Sequence, residues 1–187
     1  LDRLKEKYQI EKVICVADTG MMNQDNILEV GQNGYEFIFG ERLKSLEQGI
    51  QNEILNRENY QILTIDDTES NDRIDIQYYV TGYKKRNLIT TYSAKKAAKD
   101  KAEREEKVKK AQAFLNNPSA LEKKARTYFI RKEGQDQYSL DLEKIQKSER
   151  FDGFLCIATN NKELSVQEII QAYKQLYKVE HSFRSFK

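Results

Sequence analysis

The stretch Ser165–Lys187, SVQEIIQAYKQLYKVEHSFRSFK, decides the fold of the end of the chain, because its pattern predicts a long amphipathic helix. Ser165 can cap the first turn, and Glu168 three residues later completes a capping box. Leu164 and Ile169 have the spacing of a hydrophobic staple across the helix start. Apolar side chains recur along one face at helical period, at Val166, Ile169, Ile170, Tyr173, Leu176, Tyr177 and Phe183.

A single carboxylate falls on this apolar face. With 3.6 residues per turn, Glu180 lies between Leu176 and Phe183 on the helix surface. Arg184 and Lys187 follow on the same side, one and two turns further on. A carboxylate that faces a core is normally paired, protonated or bound to a cation. Two interpretations stay open: a Glu180–Arg184 pair that stabilises the helix by about 0.2–0.5 kcal/mol, or a metal ligand with cations beside it for phosphates.

Length and composition limit the classes of protein to which the chain can belong. A chain of 187 residues suits one good domain or two small ones, and 39% hydrophobic with 33% charged residues predicts a globular fold. Lysine and arginine number 32 against 30 acidic residues, a near balance that does not by itself indicate a nucleic-acid partner. The sequence has no apolar run long enough for a membrane span and no signal-peptide pattern, so we expect a cytoplasmic protein.

Residues typical of metal and nucleophilic sites are scarce. Cys15 and Cys156 lie in strand-like apolar runs without CxxC spacing, which predicts reduced core cysteines. His181 is the only histidine, and one histidine cannot build a His-rich metal site or a Ser/His/Asp triad. The loop at 66–72 lacks the ligand spacing of a calcium loop and is interpreted as a solvated hairpin connection. Its acidic residues are Asp66, Asp67, Glu69 and Asp72.

Asp18 follows the first clear strand. Residues 10–17, IEKVICVA, form an apolar run that ends at Asp18-Thr19-Gly20, which predicts a buried strand leading into a tight turn. Ligand sites of open α/β sheets lie at the carboxyl ends of strands, where this Asp falls. An Asp that merely forms the turn before Gly20 is the alternative interpretation.

The rest of the chain predicts an α/β fold, α+β overall. A short helix over 21–31 and a strand over 35–39 suggest a parallel βαβ unit with the first strand. Other predicted elements are a helix over 41–56, strands over 60–65, 73–80 and 87–92, a hairpin of 126–131 with 137–142, and a strand over 154–159. We therefore predict α/β units at 1–48 and 151–187, with a β-rich insertion at 49–150.

The predicted insertion carries one charged helix, over 94–115. Between Ala94 and Lys110 there are eight basic and four acidic residues. One interpretation is a solvated helix with ion pairs at i, i+4. The other is a helix that lies along DNA phosphates, with three basic residues near its start, Lys95, Lys96 and Lys99.

Three separated segments resemble a bacterial insertion-sequence transposase of the DDE class, which shares an RNase-H-like catalytic fold with retroviral integrase. VICVADTGM (13–21) resembles the strand that ends in the family's second catalytic Asp, and FDGFLCIATN (151–160) resembles the strand before the catalytic helix. The helix resembles the signature Tyr-x2-Arg-x3-Glu-x6-Lys, except that Leu176 stands in place of the Arg. More weakly, TYSAKKAAKDKAERE (91–105) resembles the basic helix of an inserted β domain.

The resemblance implies a partial RNase-H-like core interrupted by the insertion. It implies that Asp18 and Glu180 are catalytic and hold Mg2+ (or Mn2+), since two such ions clamp the attacking and leaving oxygens of a phosphodiester. It further implies DNA as partner, a homodimer in the DNA complex, and a cytoplasmic, nucleoid-associated enzyme. The implied DNA-binding residues are Tyr173, Arg184, Lys187, Lys95, Lys96 and Lys99.

The first catalytic Asp of this family has no match before Asp18. The chain starts at Leu1 without an initiator Met and stops inside a predicted helix. We therefore expect a fragment that lacks the first Asp and cuts no DNA alone. Three alternatives stay open: an RNase-H-like nuclease, a non-catalytic DNA-binding or assembly module, and an aspartic protease built on Asp18-Thr19-Gly20, which would need a second Asp from another copy.

Overall fold

The computed structural model describes residues 12–19, 29–66, 73–116, 129–133 and 138–185, together with Lys7 and Gln9. The side chains of Asp66 and of residues 177–185 are outside the described part. Several predictions fall outside it as well: most of the helix over 21–31, the acidic loop after Asp66, and the first part of the strand over 126–131.

The described residues form a mixed sheet and a separate hairpin. The strands are β1 (Ile14–Ala17), β2 (Glu36–Glu41), β3 (Gln61–Asp66), β4 (Arg73–Tyr83), β5 (Arg86–Tyr92), β6 (Ile130–Lys132), β7 (Tyr138–Leu140) and β8 (Phe154–Thr159). Six of them make one sheet in the order β1-β2-β8-β5-β4-β3, and β6 pairs with β7. β1 and β2 run parallel, as predicted, whereas β2 runs antiparallel to β8 and β3 antiparallel to β4. The coarse prediction of a mixed α/β fold is confirmed.

Helices complete the two units. They are α1 (Gln48–Leu55), α2 (Ala94–Asn116), α3 (Leu142–Glu149) and α4 (Val166–Ser185), with 3-10 turns at Leu43–Ser45 and Arg57–Asn59 and a helical turn at 29–32. None of the helices in the described residues is both long and apolar enough to cross a membrane.

The single helix predicted over 41–56 is instead a 3-10 turn followed by α1. The chain is extended at Leu46 (φ −72°, ψ 160°) and at Glu47, which separates the two elements. Leu43 in the 3-10 turn and Leu46 directly after it are both buried, at 7% and 6% exposure. Two apolar residues three positions apart fit an α-helix and a 3-10 turn, so their spacing alone does not distinguish the two.

Helix α3 has no counterpart among the predicted elements. The strand predicted over 137–142 ends at Leu140, and Asp141 becomes the N-cap of a helix. Asp141 Oδ1 accepts a hydrogen bond from the backbone N–H of Lys144 at 2.9 Å. Asp141, followed by apolar residues at 142 and 145, was the signal that could have predicted this helix.

The chain divides into two compact units, 1–91 with 155–187 and 92–154. Three strands from the predicted insertion at 49–150, namely β3, β4 and β5, pair in the same sheet as β1, β2 and β8. The second unit is therefore shorter than the predicted insertion, and contains α2, β6, β7 and α3.

The core of the first unit lies between the sheet and α4. Ile38, Ile89 and Ile157 project from three strands of the sheet and pack with Ile169 and Ile170 of the helix. Each of these five side chains is at most 3% exposed. Burial of such side chains supplies about 1.5–3 kcal/mol each, so the predicted apolar stripe of α4 fixes the helix on this face.

Within the second unit, a buried charge anchors α2. Arg104 is 7% exposed, and its Nη1 lies 2.5 Å from both carboxylate oxygens of Asp152. This partner raises the pKa of Arg104 further above its ordinary value. Gly153 has φ +86°, and a Cβ there would lie 2.9 Å from the Cβ of Ala97, so glycine is required next to the helix.

Candidate active site

Helix α4 carries three of the predicted site residues, and a capping box fixes its start. Ser165 Oγ accepts a hydrogen bond from the Glu168 N–H at 3.3 Å, and Glu168 Oε2 accepts one from the Ser165 N–H at 2.8 Å. The Ser165 hydroxyl also donates to this carboxylate, and these bonds lower the pKa of Glu168. The predicted capping box is confirmed, and Leu164 packs against the core cluster that contains Ile169.

The loop after β8 ties the same helix start to β2. Asn161 Oδ1 accepts from the backbone N–H groups of Glu163 at 3.0 Å and Leu164 at 2.7 Å. Its Nδ2 donates to Glu36 Oε2 at 2.8 Å, and Asn160 Oδ1 accepts from the backbone N–H of Phe37 in the same strand at 2.8 Å. Asn161 is 3% exposed, so these groups have little access to water. The loop therefore sets where α4 begins relative to the sheet.

We expect Asn161→Ala to lower the free energy of unfolding of the first unit by about 1–3 kcal/mol, because it leaves two partly buried N–H groups without an acceptor. Urea unfolding followed by far-UV circular dichroism measures the loss. Asn33→Ala is the matched control, since Asn33 is exposed and its side chain donates to the carbonyl of Glu29 within the same helical turn, at 2.8 Å. Equal stability of the two variants would contradict the role of the loop.

Asp18 lies directly after β1, and the structure connects it to α4. Tyr173 Oη donates a hydrogen bond to Asp18 Oδ1 at 2.9 Å, across 155 positions of sequence. Asp18 is half-buried, and Tyr173 is 8% exposed. Alternation along the strand puts Asp18 on the same side as Ile14 and Val16, which pack against the core with α4. A carboxylate at the carboxyl end of β1 thus touches the helix that carries Glu180.

The neighbouring strand approaches the same place closely. A Cβ at Gly40 of β2 would overlap Thr19 Oγ1 and Tyr173 Oη, and would lie 2.8 Å from the Thr19 backbone nitrogen. Only glycine fits between the turn after β1 and the tyrosine hydroxyl. Gly40 is not among the predicted site residues, although a glycine near the carboxyl end of an apolar strand beside the strand that ends in Asp18 could have indicated it.

Another carboxylate near Gly40 belongs to a different surface. Glu41 follows Gly40 in β2, and adjacent residues of a strand point to opposite sides of the sheet. Its Oε2 lies 2.6 Å from Arg86 Nη2, with the two side chains 12% and 11% exposed. This ion pair links β2 and β5 across β8, which lies between them, so we infer that Glu41 stabilises the sheet.

Glu180 and the two cations after it lie at the end of α4. Seven residues at 1.5 Å each put position 180 about 10.5 Å from Tyr173 along the helix axis, and on the same face. The side chains of Glu180 and Arg184 are outside the described residues, and so is the whole of Lys187. The convergence of Asp18 and Glu180 on one cation stays a prediction.

The three predicted DNA-binding lysines of α2 differ in their surroundings. Lys96 Nζ lies 2.8 Å from both oxygens of Asp100, so its charge is largely compensated. Lys99 is 69% exposed and lies 3.9 Å from Glu103, a long pair. Lys95 is exposed. The i, i+4 pairs expected of a solvated helix are present, and DNA binding stays a prediction.

The donor chemistry at the end of β1 fits a hard cation. Mg2+ prefers carboxylate and water oxygens, and Asp18 offers a carboxylate that already has an oriented hydrogen bond. Within the described residues there is no group of three or more His, Cys, Asp or Glu side chains that could hold a metal ion. A complete site of the predicted kind would need the Glu180 carboxylate in addition.

The cysteines take no part in this site. Both are free, and Cys156 is buried in β8. Burial raises the pKa of the Cys156 thiol to about 12, so it is protonated and unreactive at neutral pH. Burial also raises the pKa of Cys15. Cys156 lies in the core, as predicted, whereas Cys15 is half-buried.

Comparisons with known proteins identify no relative: no family model, no curated protein and no solved structure matches this chain.

Proposed function

We propose that this chain is part of a DDE-class transposase, with a partial RNase-H-like core, and that the full-length protein cuts and joins DNA. The observation that supports this best is the hydrogen bond from Tyr173 to Asp18. It joins two of the three segments that resemble the family, the strand ending in Asp18 and the signature helix. The third segment forms β8, which lies next to β2 in the same sheet.

In this proposal Asp18 and Glu180 are the carboxylates that hold the metal. Asp18 directly follows strand β1, and Glu180 lies in helix α4, whose first half packs on the core. Bound Mg2+ would stabilise the charge that develops on the attacking and leaving oxygens of the phosphodiester. Glycine at position 40 keeps the second strand close to Asp18 without filling the space around its carboxylate.

Basic side chains would hold the DNA. Arg184 and Lys187 follow Glu180 on the same side of the helix, where they would neutralise phosphates beside the cut. Lys95 and Lys99 of α2 are exposed, and they would add phosphate contacts that do not depend on base sequence. Two copies of the protein would bring two transposon ends together in a homodimer.

The test is an assay of labelled DNA with the purified full-length protein. We expect strand cleavage and joining that require Mg2+, stop with a chelator and return with Mn2+. Cleavage that persists without divalent ions would contradict the proposal. Cleavage of RNA–DNA hybrids without any joining would favour an RNase-H-like nuclease, and DNA binding without cleavage would favour an assembly module.

A further inference from the structure

Tyr173 is placed to act on Asp18 rather than on DNA. Its side chain is 8% exposed, and its hydroxyl donates to Asp18 Oδ1 at 2.9 Å. A DNA phosphate or base would need access that a buried ring does not give. The resemblance assigns Tyr173 to DNA contact, but its surroundings favour a role inside the protein.

Several contacts fix the tyrosine ring and therefore the direction of its hydroxyl. Tyr173 belongs to the core cluster with Ile38, Ile169 and Ile170, each at most 3% exposed. A Cβ at Gly40 would overlap its hydroxyl oxygen, so the β2 backbone runs close beside it. The oxygen is held between β2 and Asp18, and the hydrogen bond has a fixed direction.

An O–H donor on one carboxylate oxygen orients the whole group. An ionised carboxylate has about four acceptor positions, so one hydrogen bond at Oδ1 leaves the others for a cation. Hydrogen bonds of this kind hold metal ligands in place, and their removal typically weakens metal binding by roughly 10–100-fold. The carboxylate of Asp18 would otherwise rotate about its side-chain bonds on a turn after the strand.

We infer that Tyr173 is a positioning residue, which fixes the Asp18 carboxylate for a divalent cation through its hydroxyl. This inference rests on the proposed function for the identity of the cation. The Tyr173 hydroxyl then contributes to the affinity of the site for the cation. Glycine at position 40 is required for this hydroxyl to reach Asp18. The side chain of Tyr173 itself touches neither metal nor DNA.

The experiment is a Mn2+ titration of the 15N-labelled chain, read as the broadening of the backbone amide signals of Thr19 and Gly40. We expect saturable broadening in the unsubstituted chain, and none in Asp18→Asn. Tyr173→Phe keeps the ring and removes only the donor, so we expect an apparent Kd for Mn2+ roughly tenfold higher. Tyr78→Phe is the control, because that hydroxyl bonds to Gln61 Oε1 at 3.1 Å in a strand far across the sheet.

Different outcomes bear on different proposals. If Tyr173→Phe binds Mn2+ as tightly as the unsubstituted chain while Asp18→Asn does not bind it, the positioning role is overturned. The assignment of Asp18 as a metal ligand would then still stand. Absence of saturable broadening in the unsubstituted chain would contradict the metal site and both proposals. If Tyr173→Phe fails to fold, the chemical shifts of the Tyr173 ring in the unsubstituted chain provide the test. We expect them to change on addition of Mg2+, because the hydroxyl is bonded to the metal ligand. Unchanged chemical shifts would overturn the inference.

Discussion

Replacing Asp18 by Asn, or Glu180 by Gln, is expected to slow Mg2+-dependent DNA cleavage by the full-length protein about a thousandfold or more. Each substitution exchanges an anionic oxygen ligand for a neutral amide of almost the same size. A divalent ion at the reacting phosphate stabilises the transition state by several kcal/mol, and roughly 4 kcal/mol corresponds to a thousandfold in rate. Since the fold is retained, DNA binding should stay close to that of the unsubstituted protein.

Single-turnover cleavage of a labelled duplex measures the rate, and fluorescence anisotropy measures DNA binding. Glu58→Gln is the matched control, because Glu58 is an exposed carboxylate of the same unit, in the 3-10 turn Arg57–Asn59. A rate within about tenfold of the unsubstituted protein in either variant would contradict the assignment of that carboxylate. Loss of DNA binding with an intact fold would point to a different role for the residue.

Arg104→Ala is expected to destabilise the second unit by about 3–5 kcal/mol. The side chain of Arg104 is 8% exposed, and its removal leaves the carboxylate of Asp152, itself 18% exposed, without its partner. An unpaired carboxylate in a poorly hydrated place costs far more than the loss of a surface pair. Because Arg104 lies in the middle of α2, the whole helix should lose protection.

Native-state hydrogen exchange of the α2 amides measures this effect within the second unit. Lys99→Ala on the same helix is the control, since its pair with Glu103 is exposed and is expected to contribute about 0–1 kcal/mol. Joint replacement by Arg104→Met and Asp152→Leu should restore most of the stability, because it removes both charges. A decrease in the free energy of unfolding of less than about 1 kcal/mol in Arg104→Ala would mean that the Arg104–Asp152 pair is solvated and contributes little to stability.

The pattern of α4 was predictable because each of its signals is local. The capping box of Ser165 and Glu168 needs only residues within one turn, and it is confirmed. The strand that ends at Asp18 is also local: an apolar β-branched run followed by a turn. Periodicity therefore predicted the two elements that meet at the candidate site, and the buried face of α4 over its described side chains at 166–176.

Other features depend on partners distant in sequence and could not be predicted. Three elements meet where Tyr173 bonds to Asp18 and where Gly40 must be glycine, namely the turn after β1, strand β2 and helix α4. No local sequence pattern predicts such a meeting. The pairing of the strands that lead into the second unit also depends on residues far apart in sequence. Strands β3, β4 and β5 look like any half-buried strands in sequence, and only pairing through β8 assigns them to the large sheet.

The second unit begins and ends at one place, because the backbone N–H of Ser93 donates to the carbonyl of Gly153 at 3.0 Å. A segment whose two ends touch can be lengthened, shortened or exchanged without pulling apart the strands that lead into it. We therefore expect changes of sequence or length between these two residues to leave the positions of Asp18 and α4 in the first unit unchanged.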